Sequence, residues 1–285
     1  MMRSGEARLG QWRTRIVLSS ILALATSCGA PAQTPSPAAP AQTPATPSAT
    51  ALDAARAQLA PTGKLRVGFQ NMITYAKSAS GELSGVGVEI SRELARRLGV
   101  PFVAVEYAAA PKLLEAAQSG DWDIAFLAID PDRTEVVFTG PYMLVPNTYM
   151  VPLSSAIRSN ADIDRPGVRI AIVKGQANDL YLTRTLKEAT LVRADTRDAA
   201  FALYTSGQAD AFSGTRDAEV DYAAKFTANR VLTESFLDVT HAVALPKGHA
   251  AALAFVTSFV NDVKASGLVA DAIKRAGLAS ERVAP

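Results

Sequence analysis

The sequence predicts an α/β protein of two lobes joined by two connecting strands. From residue 64 onward, short runs rich in β-branched residues alternate with longer runs of helical periodicity, an order typical of a largely parallel sheet. The same order recurs in the second half of the chain, and two further strand-like runs lie between the halves. About 225 residues follow the N-terminal region, which is enough for one large or two small domains.

The first half contains three predicted strands and two predicted helices. The helix at 88–98 is amphipathic, because Ile90, Leu94 and Leu98 share one face, and Gly99 is expected to end it. In chain order the elements are a strand at 64–69, a helix at 88–98, a strand at 101–107, a helix at 112–118 and a strand at 123–129.

The second half repeats this arrangement and is followed by two helices. We expect strands at 168–173, 191–193 and 209–213, helices at 178–187, 197–205 and 216–225, connecting strands at 148–153 and 241–245, and final helices at 250–264 and 268–276. The final helices have no strand of their own to pack on and should fold back onto the first lobe. The predicted lobes are therefore 61–147 plus 243–285 for the first, and 148–242 for the second.

The N-terminal region predicts export. Four arginines (Arg3, Arg8, Arg13 and Arg15) precede an apolar run at 16–25, which is typical of a secretory signal. This run is too short to span a bilayer, which needs about 20 apolar residues. We assign residues 1–27 to a signal peptide of the lipoprotein type and place the mature protein in the periplasm or cell envelope.

The single cysteine, Cys28, follows Ala25-Thr26-Ser27 and resembles the acceptor in the lipobox of bacterial lipoproteins. The expected role is a lipid anchor in a membrane; the alternative is cleavage after Ala30, which would discard Cys28. Residues 29–50 contain six of the sixteen prolines and no charge, a composition that cannot bury a core. The range 28–60 is therefore predicted to be the anchor cysteine and an extended linker.

Composition excludes several other functions. The formal net charge is +2 and no basic run is interleaved with aromatic residues, so nucleic acid is not an expected partner. The two histidines, His241 and His249, do not have the spacing of metal ligands, and no phosphate-binding or dinucleotide-binding motif is present. We expect no metal, no cofactor, no disulfide and a monomeric protein.

Several segments together resemble the amino-acid class of bacterial solute-binding proteins, family 3, over nearly all of residues 62–278. They are, in order, GKLRVG, GVGVEISRELARRLGVP, LLEAAQSGDWDIAFLAIDPDRTEVVFTGPY, GVRIAIVKGQAND, SGQADAFSGTRDAEVDYAAK and LPKGHA. The resemblance implies a type II periplasmic-binding-protein fold with the ligand in the cleft between the lobes. Open α/β sheets also bind ligands beyond the carboxyl ends of their strands, which indicates the same cleft.

Two sites in this cleft are expected to bind a carboxylate. Arg133, in the segment IDPDR, matches the arginine that binds the ligand carboxylate in relatives, and a guanidinium suits that task because it donates two parallel hydrogen bonds. The alternative is that Arg133 pairs with Asp130, Asp132 or Glu135. Gly175, Gln176 and Ala177 precede a helix, where free N–H groups attract anions, although such a turn is often only a turn.

Other positions depart from the pattern of the family. Where relatives place an acidic residue for the ligand ammonium, this chain has Thr215, with Asp217 two residues later; Asp217 either replaces it or only favours the start of a helix. Further candidate ligand-binding residues are Ala128 and Asp130 before the arginine, and Phe69 and Asn71 in the first-lobe loop.

The resemblance implies a receptor that closes its two lobes on a small carboxylate-bearing solute, an amino acid or a related organic acid, and delivers it to the permease of an ABC importer. We do not expect an enzyme. One alternative is a periplasmic dehydratase of cyclohexadienyl or arogenate type, with Asp130, Asp217 or Thr215 as acid or base. The other is a tethered domain that senses a ligand.

Overall fold

The computed structural model describes residues 49–70 and 74–285. The predicted signal peptide, Cys28 and Asn71 lie outside the described residues. The first part of the chain forms α1 (Ala49–Leu59), β1 (Leu65–Gln70), β2 (Ala76–Lys77), β3 (Leu83–Ser84), α2 (Val86–Leu98), β4 (Phe102–Tyr107), α3 (Ala110–Ser119), β5 (Ile124–Ala128) and β6 (Val136–Pro152).

The second part contains six strands and five helices among the described residues. They are β7 (Arg169–Val173), α4 (Ala177–Thr185), β8 (Thr190–Ala194), α5 (Arg197–Thr205), β9 (Ala211–Thr215), α6 (Arg216–Lys225), β10 (Asn229–Val231), β11 (Leu237–Pro246), α7 (Ala250–Ala265), α8 (Leu268–Arg275) and β12 (Arg282–Val283). The predicted alternation of strands and helices is confirmed, and the fold is α/β.

One sheet runs through both halves of the chain in the order β4-β1-β5-β11-β6-β9-β7-β8. At one end, β1 lies between β4 and β5 and is parallel to both. At the other end, β7 lies between β8 and β9 and is parallel to both. The two parallel groups are joined by β11 and β6, which are antiparallel to each other and to their outer neighbours. This is the arrangement of a type II periplasmic binding protein.

The buried apolar residues form two separate sets, which define the lobes. Lobe 1 contains the cores built from residues 55–145 and 239–273. Lobe 2 contains the cores built from residues 149–236. The chain therefore passes from the core of lobe 1 to the core of lobe 2 between Val145 and Tyr149 on β6. It returns to the core of lobe 1 between Phe236 and Val239, near the start of β11. The predicted boundary between the lobes at residues 147/148 falls in the first of these intervals. The predicted boundary at residues 242/243 instead lies further along β11.

Helix α1 corrects the predicted extent of the linker. Residues 49–59 are helical, and their spacing places Leu52, Ala55 and Leu59 on one face that packs into lobe 1. Arg56 Nε donates a hydrogen bond of 2.7 Å to the carbonyl of Leu98, and the Gln58 side chain accepts one from the N–H of Ala252. The proline-rich composition ends before this helix, so the range 28–60 is too long for an extended linker.

Among the described residues, no single helix is long and apolar enough to cross a membrane. The helices α7 and α8 reach the required length and hydropathy only as a pair, and the chain bends by 69° between them. Their apolar residues are part of the core of lobe 1, as the sequence predicted for helices that fold back onto that lobe.

Candidate functional site

A cavity of about 490 Å³ lies between the lobes, beyond the carboxyl ends of several strands. Two larger depressions, of about 740 and 780 Å³, each lie on one lobe alone. The polar residues that line the cavity are Gln70, Arg133, Asn147, Gln176, Asn178, Asp195, Thr196, Arg197, Asp198, Ser213, Thr215 and His241. The apolar lining consists of small aliphatic side chains: Ala108, Ala109, Ala128, Val145, Val173, Ala177, Ala218 and Val239.

Arg133 lies in the turn after β5 and lines this cavity with a side chain that is only 4% exposed. Its Nη1 donates a 2.7 Å hydrogen bond to the carbonyl of Ala128, whereas the buried Nε has no partner among the described residues. No salt bridge joins Arg133 to a carboxylate in the described part of the chain. Burial lowers the pKa of Arg133 to about 10, although Asp130 and Glu135 oppose the shift. The guanidinium is therefore a buried cation with unused donors.

His241 lies beside Arg133 and was not predicted as a site residue. It is on β11 opposite Ala128 of β5, is 3% exposed and lines the cavity. Burial, together with the charge of Arg133, lowers the pKa of His241 to about 3, so the imidazole is neutral. Its Nδ1 has no hydrogen-bond partner among the described residues. A local sequence pattern could not identify this residue, because β5 and β11 are far apart in the chain.

Asp130 does not line the cavity, which corrects its prediction as a ligand-binding residue. Its carboxylate accepts hydrogen bonds from Arg184 of α4, at 2.9 Å from Nη2 and 3.2 Å from Nη1. Arg184 also contacts Asp132 at 2.8 Å. Because Arg184 belongs to lobe 2 and both aspartates to lobe 1, we call this group the cross-lobe ion pair.

The turn before α4 meets lobe 1 closely. Gly175 has a φ of 74°, and a Cβ atom at this position would lie 2.9 Å from Pro111 Cγ, so both backbone conformation and space favour glycine. Its N–H is not free, however, because it donates to Asp179 at 2.8 Å. Gln176 and Ala177 do line the cavity, and the amide of Gln176 lies 3.4 Å from that of Gln70 in lobe 1. The predicted turn thus reaches the cavity, but not through Gly175.

Phe69 and Asp217 were also predicted to bind the ligand, and neither is among the residues that line the cavity. Phe69 is fully buried in the core of lobe 1, where its ring stacks on Tyr75 at 4.6 Å and on Phe126 at 5.5 Å. The next residue, Gln70, is the one that lines the cavity, because successive side chains of a strand point to opposite faces. Asp217 accepts hydrogen bonds from the N–H groups of residues 279 and 280, whereas Thr215 lines the cavity.

Arg197 is a second cavity residue that the sequence did not reveal. It begins α5 in lobe 2, and its Nη2 donates to Glu219 at 2.9 Å. The guanidinium carbon lies 5.0 Å from the ring centre of Phe212 and 4.7 Å from that of Tyr222. Glu219 is fully buried, and burial raises its pKa to about 7 despite the nearby Arg197. The Nε of Arg197 is buried without a partner among the described residues.

No group of three or more potential metal ligands occurs within residues 49–70 and 74–285.

The comparisons with solved structures agree on the fold. A putative binding component of an ABC transporter from Wolinella succinogenes, complexed with lysine, is 25% identical with a TM-score of 0.67, covering 75% of this chain and 95% of its own. An ancestral amino acid-binding protein, a precursor of cyclohexadienyl dehydratase, is 25% identical with a TM-score of 0.66, covering 79% and 97%. A solute receptor for L-cysteine of Neisseria gonorrhoeae is 24% identical with a TM-score of 0.67, covering 78% and 92%.

No curated protein sequence matches the chain. The model of a protein family, by contrast, matches residues 65–277 and so includes the strands and helices of both lobes. With the fold, the cavity between the lobes and this match in agreement, the chain belongs to the bacterial extracellular solute-binding proteins, family 3.

Proposed function

We propose that the protein is the receptor of an ABC importer, which binds a small carboxylate-bearing solute between its lobes outside the cytoplasmic membrane. The observation that carries this proposal is Arg133, a buried guanidinium in a cavity between two lobes, with a donor that has no partner among residues 49–70 and 74–285. A buried cation is unfavourable unless it is paired, and a carboxylate is an anion whose two oxygens match the parallel donors of a guanidinium.

The solved relatives support a solute of this class. Two of them are described with lysine and L-cysteine, and both compounds carry a carboxylate. The permease as a partner, the periplasmic location and a lipid anchor on Cys28 belong to the same proposal. The family and the N-terminal sequence support these parts of the proposal.

The positions of the candidate acids and bases favour a receptor over a dehydratase. Asp130 binds Arg184, and Asp217 binds the backbone of the C-terminal segment. Of the three candidate catalytic residues, only Thr215 lines the cavity, and a threonine hydroxyl is a weak acid and a weak base at neutral pH.

Ligand-dependent stability tests the receptor proposal. The purified full-length chain should be titrated with amino acids, dicarboxylates and aromatic acids in thermal unfolding. At 100 times its Kd, a true ligand stabilises the folded state by about 2.7 kcal/mol, which corresponds to a rise in Tm of roughly 5–10 °C for a protein of this size. If no carboxylate raises the Tm, the proposal is wrong.

The cross-lobe ion pair should favour the closed state. In Arg184→Gln, the ion pairs with Asp130 and Asp132 are lost. We expect solute binding to be weaker by at least roughly fivefold, because an exposed pair alone contributes up to about 1 kcal/mol. The Asp130 side chain is only 5% exposed, and a buried carboxylate that loses its partner costs more. Small-angle scattering of the unliganded variant should show a larger radius of gyration. The matched control is Arg165→Gln, which removes an exposed pair with Asp162 inside lobe 2. Equal solute affinity and an equal radius of gyration in the two variants would show that the cross-lobe ion pair does not influence closure.

A further inference from the structure

Four carboxylates that lie close in the chain to residues lining the cavity are already bound to other groups. Their partners are arginine side chains or backbone N–H groups: Asp130 binds Arg184, Asp179 binds Arg193 and the N–H of Gly175, Asp217 binds the N–H groups of residues 279 and 280, and Glu219 binds Arg197. None of these four carboxylates is among the described residues that line the cavity. A ligand therefore meets none of their charges directly.

The buried part of the cavity wall is cationic and otherwise neutral. Its polar residues that are at most 7% exposed are Gln70, Arg133, Asn147, Asn178, Ser213 and His241. The two lining carboxylates, Asp195 and Asp198, are both exposed and flank Arg197 at the start of α5. An ammonium group buried in this cavity would lose its hydration, meet no buried negative charge among the described lining residues and be repelled by Arg133.

The two lobes each supply one guanidinium. Arg133 comes from lobe 1 and Arg197 from lobe 2, and each has a buried Nε without a partner in the described structure. Glu219 offsets the charge of Arg197 only in part near neutral pH, because burial raises the pKa of this carboxyl to about 7. The cavity therefore presents one guanidinium from each lobe to a ligand, and the two aspartates beside Arg197 are exposed to solvent, which screens their charges.

We propose that the preferred solute is a small dicarboxylate without an ammonium group, with one carboxylate on Arg133 and the other on Arg197. This inference rests on the proposed function, since it assumes that the cavity is the solute site. A ligand with a carboxylate at each end contacts both lobes at once and so binds the closed state more tightly than the open one. The small aliphatic side chains of the lining can pack against a hydrocarbon chain between the two carboxylates.

Calorimetric titration of the full-length chain with matched compounds tests the proposal. Succinate and L-aspartate differ only in the ammonium group, as do glutarate and L-glutamate. We expect at least one dicarboxylate to bind about tenfold or more tightly than its amino-acid counterpart. Arg197→Gln should weaken the binding of that dicarboxylate by about 10- to 100-fold, the loss typical of a hydrogen bond to a charged group. The control Arg169→Gln removes an exposed pair with Asp210 and should leave binding unchanged.

A second variant tests the charge of the cavity without removing an arginine. Thr215→Asp places a carboxylate at a lining position, and aspartate is well suited to the residue that precedes a helix, so α6 should still form. We expect it to weaken succinate or glutarate binding and to reduce or reverse the preference over the amino acid.

The outcomes separate this inference from the proposed function. Tighter binding of L-aspartate or L-glutamate than of its dicarboxylate, or full affinity in Arg197→Gln, would overturn the dicarboxylate assignment and leave the receptor intact. Failure of every carboxylate to bind would overturn the proposed function itself.

Discussion

Replacing Arg133 with glutamine is expected to weaken solute binding by at least about 30-fold, because loss of one partner of a buried charge pair costs roughly 2–5 kcal/mol. The unliganded protein should stay as stable as before or become more stable. Arg133 is 4% exposed, its guanidinium donates one hydrogen bond to Ala128, and its Nε has no partner in the described part of the chain. Its buried charge therefore destabilises the unliganded protein. Titration calorimetry and thermal unfolding measure the two effects separately.

The pKa of His241 gives an independent check on the same variant. Burial and the charge of Arg133 both lower this pKa in the folded protein. In Arg133→Gln the charge is gone, and NMR titration of the imidazole should show a higher pKa than in the parent protein. The matched control is Arg92→Gln, an exposed arginine on α2 that does not line the cavity. If Arg133→Gln retains affinity, or loses affinity only because the protein unfolds, the assigned role is wrong.

Phe69→Ala should have the second large effect, which is a loss of stability of the folded protein. The ring stacks on Tyr75 and Phe126 and is fully buried in lobe 1, so its removal leaves a cavity and costs about 3–5 kcal/mol. The expected fall in Tm is roughly 6–20 °C for a protein of this size. Denaturant unfolding of the unliganded chain measures the change in the free energy of unfolding.

The control for this variant is Phe226→Ala. Its side chain is 44% exposed and its ring contacts Phe201 at 4.7 Å, so the substitution should lower the free energy of unfolding by about 1–2 kcal/mol, clearly less than Phe69→Ala. Solute affinity of the folded Phe69→Ala protein should stay close to that of the parent. A large loss of affinity with an unchanged Tm would instead indicate that Phe69 covers the ligand.

Local signals predicted most of the fold. The helix expected at 88–98 forms as Val86–Leu98 and ends at Gly99, whose φ of 67° is a conformation that glycine adopts readily. The strand β6 was expected only from residue 148 but begins at Val136. It contains Pro141 and Pro146, which are rare inside strands, and it is defined by pairing with β11, about 100 residues later in the chain. Pairing over such distances leaves little trace in a local pattern.

The site was predictable where its chemistry is local and not where it depends on the other lobe. Arg133 and the turn at Gln176 were expected at the ends of strands, and both line the cavity. Asp130 was misassigned because its partner, Arg184, is 54 residues away in lobe 2. His241 and Arg197 reach the cavity only through strand pairing and lobe packing, so no nearby residue identifies them.

The position of α1 determines where a mechanical load would enter the protein. This helix packs on α7 and is bound to the end of α2 through Arg56, so tension from the preceding chain is spread over the core of lobe 1. The strands β6 and β11 cross between the lobes, and β6 is reached from α1 only through α7, on which it packs. In a receptor tethered through its N-terminal region, the tether would therefore hold lobe 1. Lobe 2 would be the lobe that moves when the cleft opens and closes.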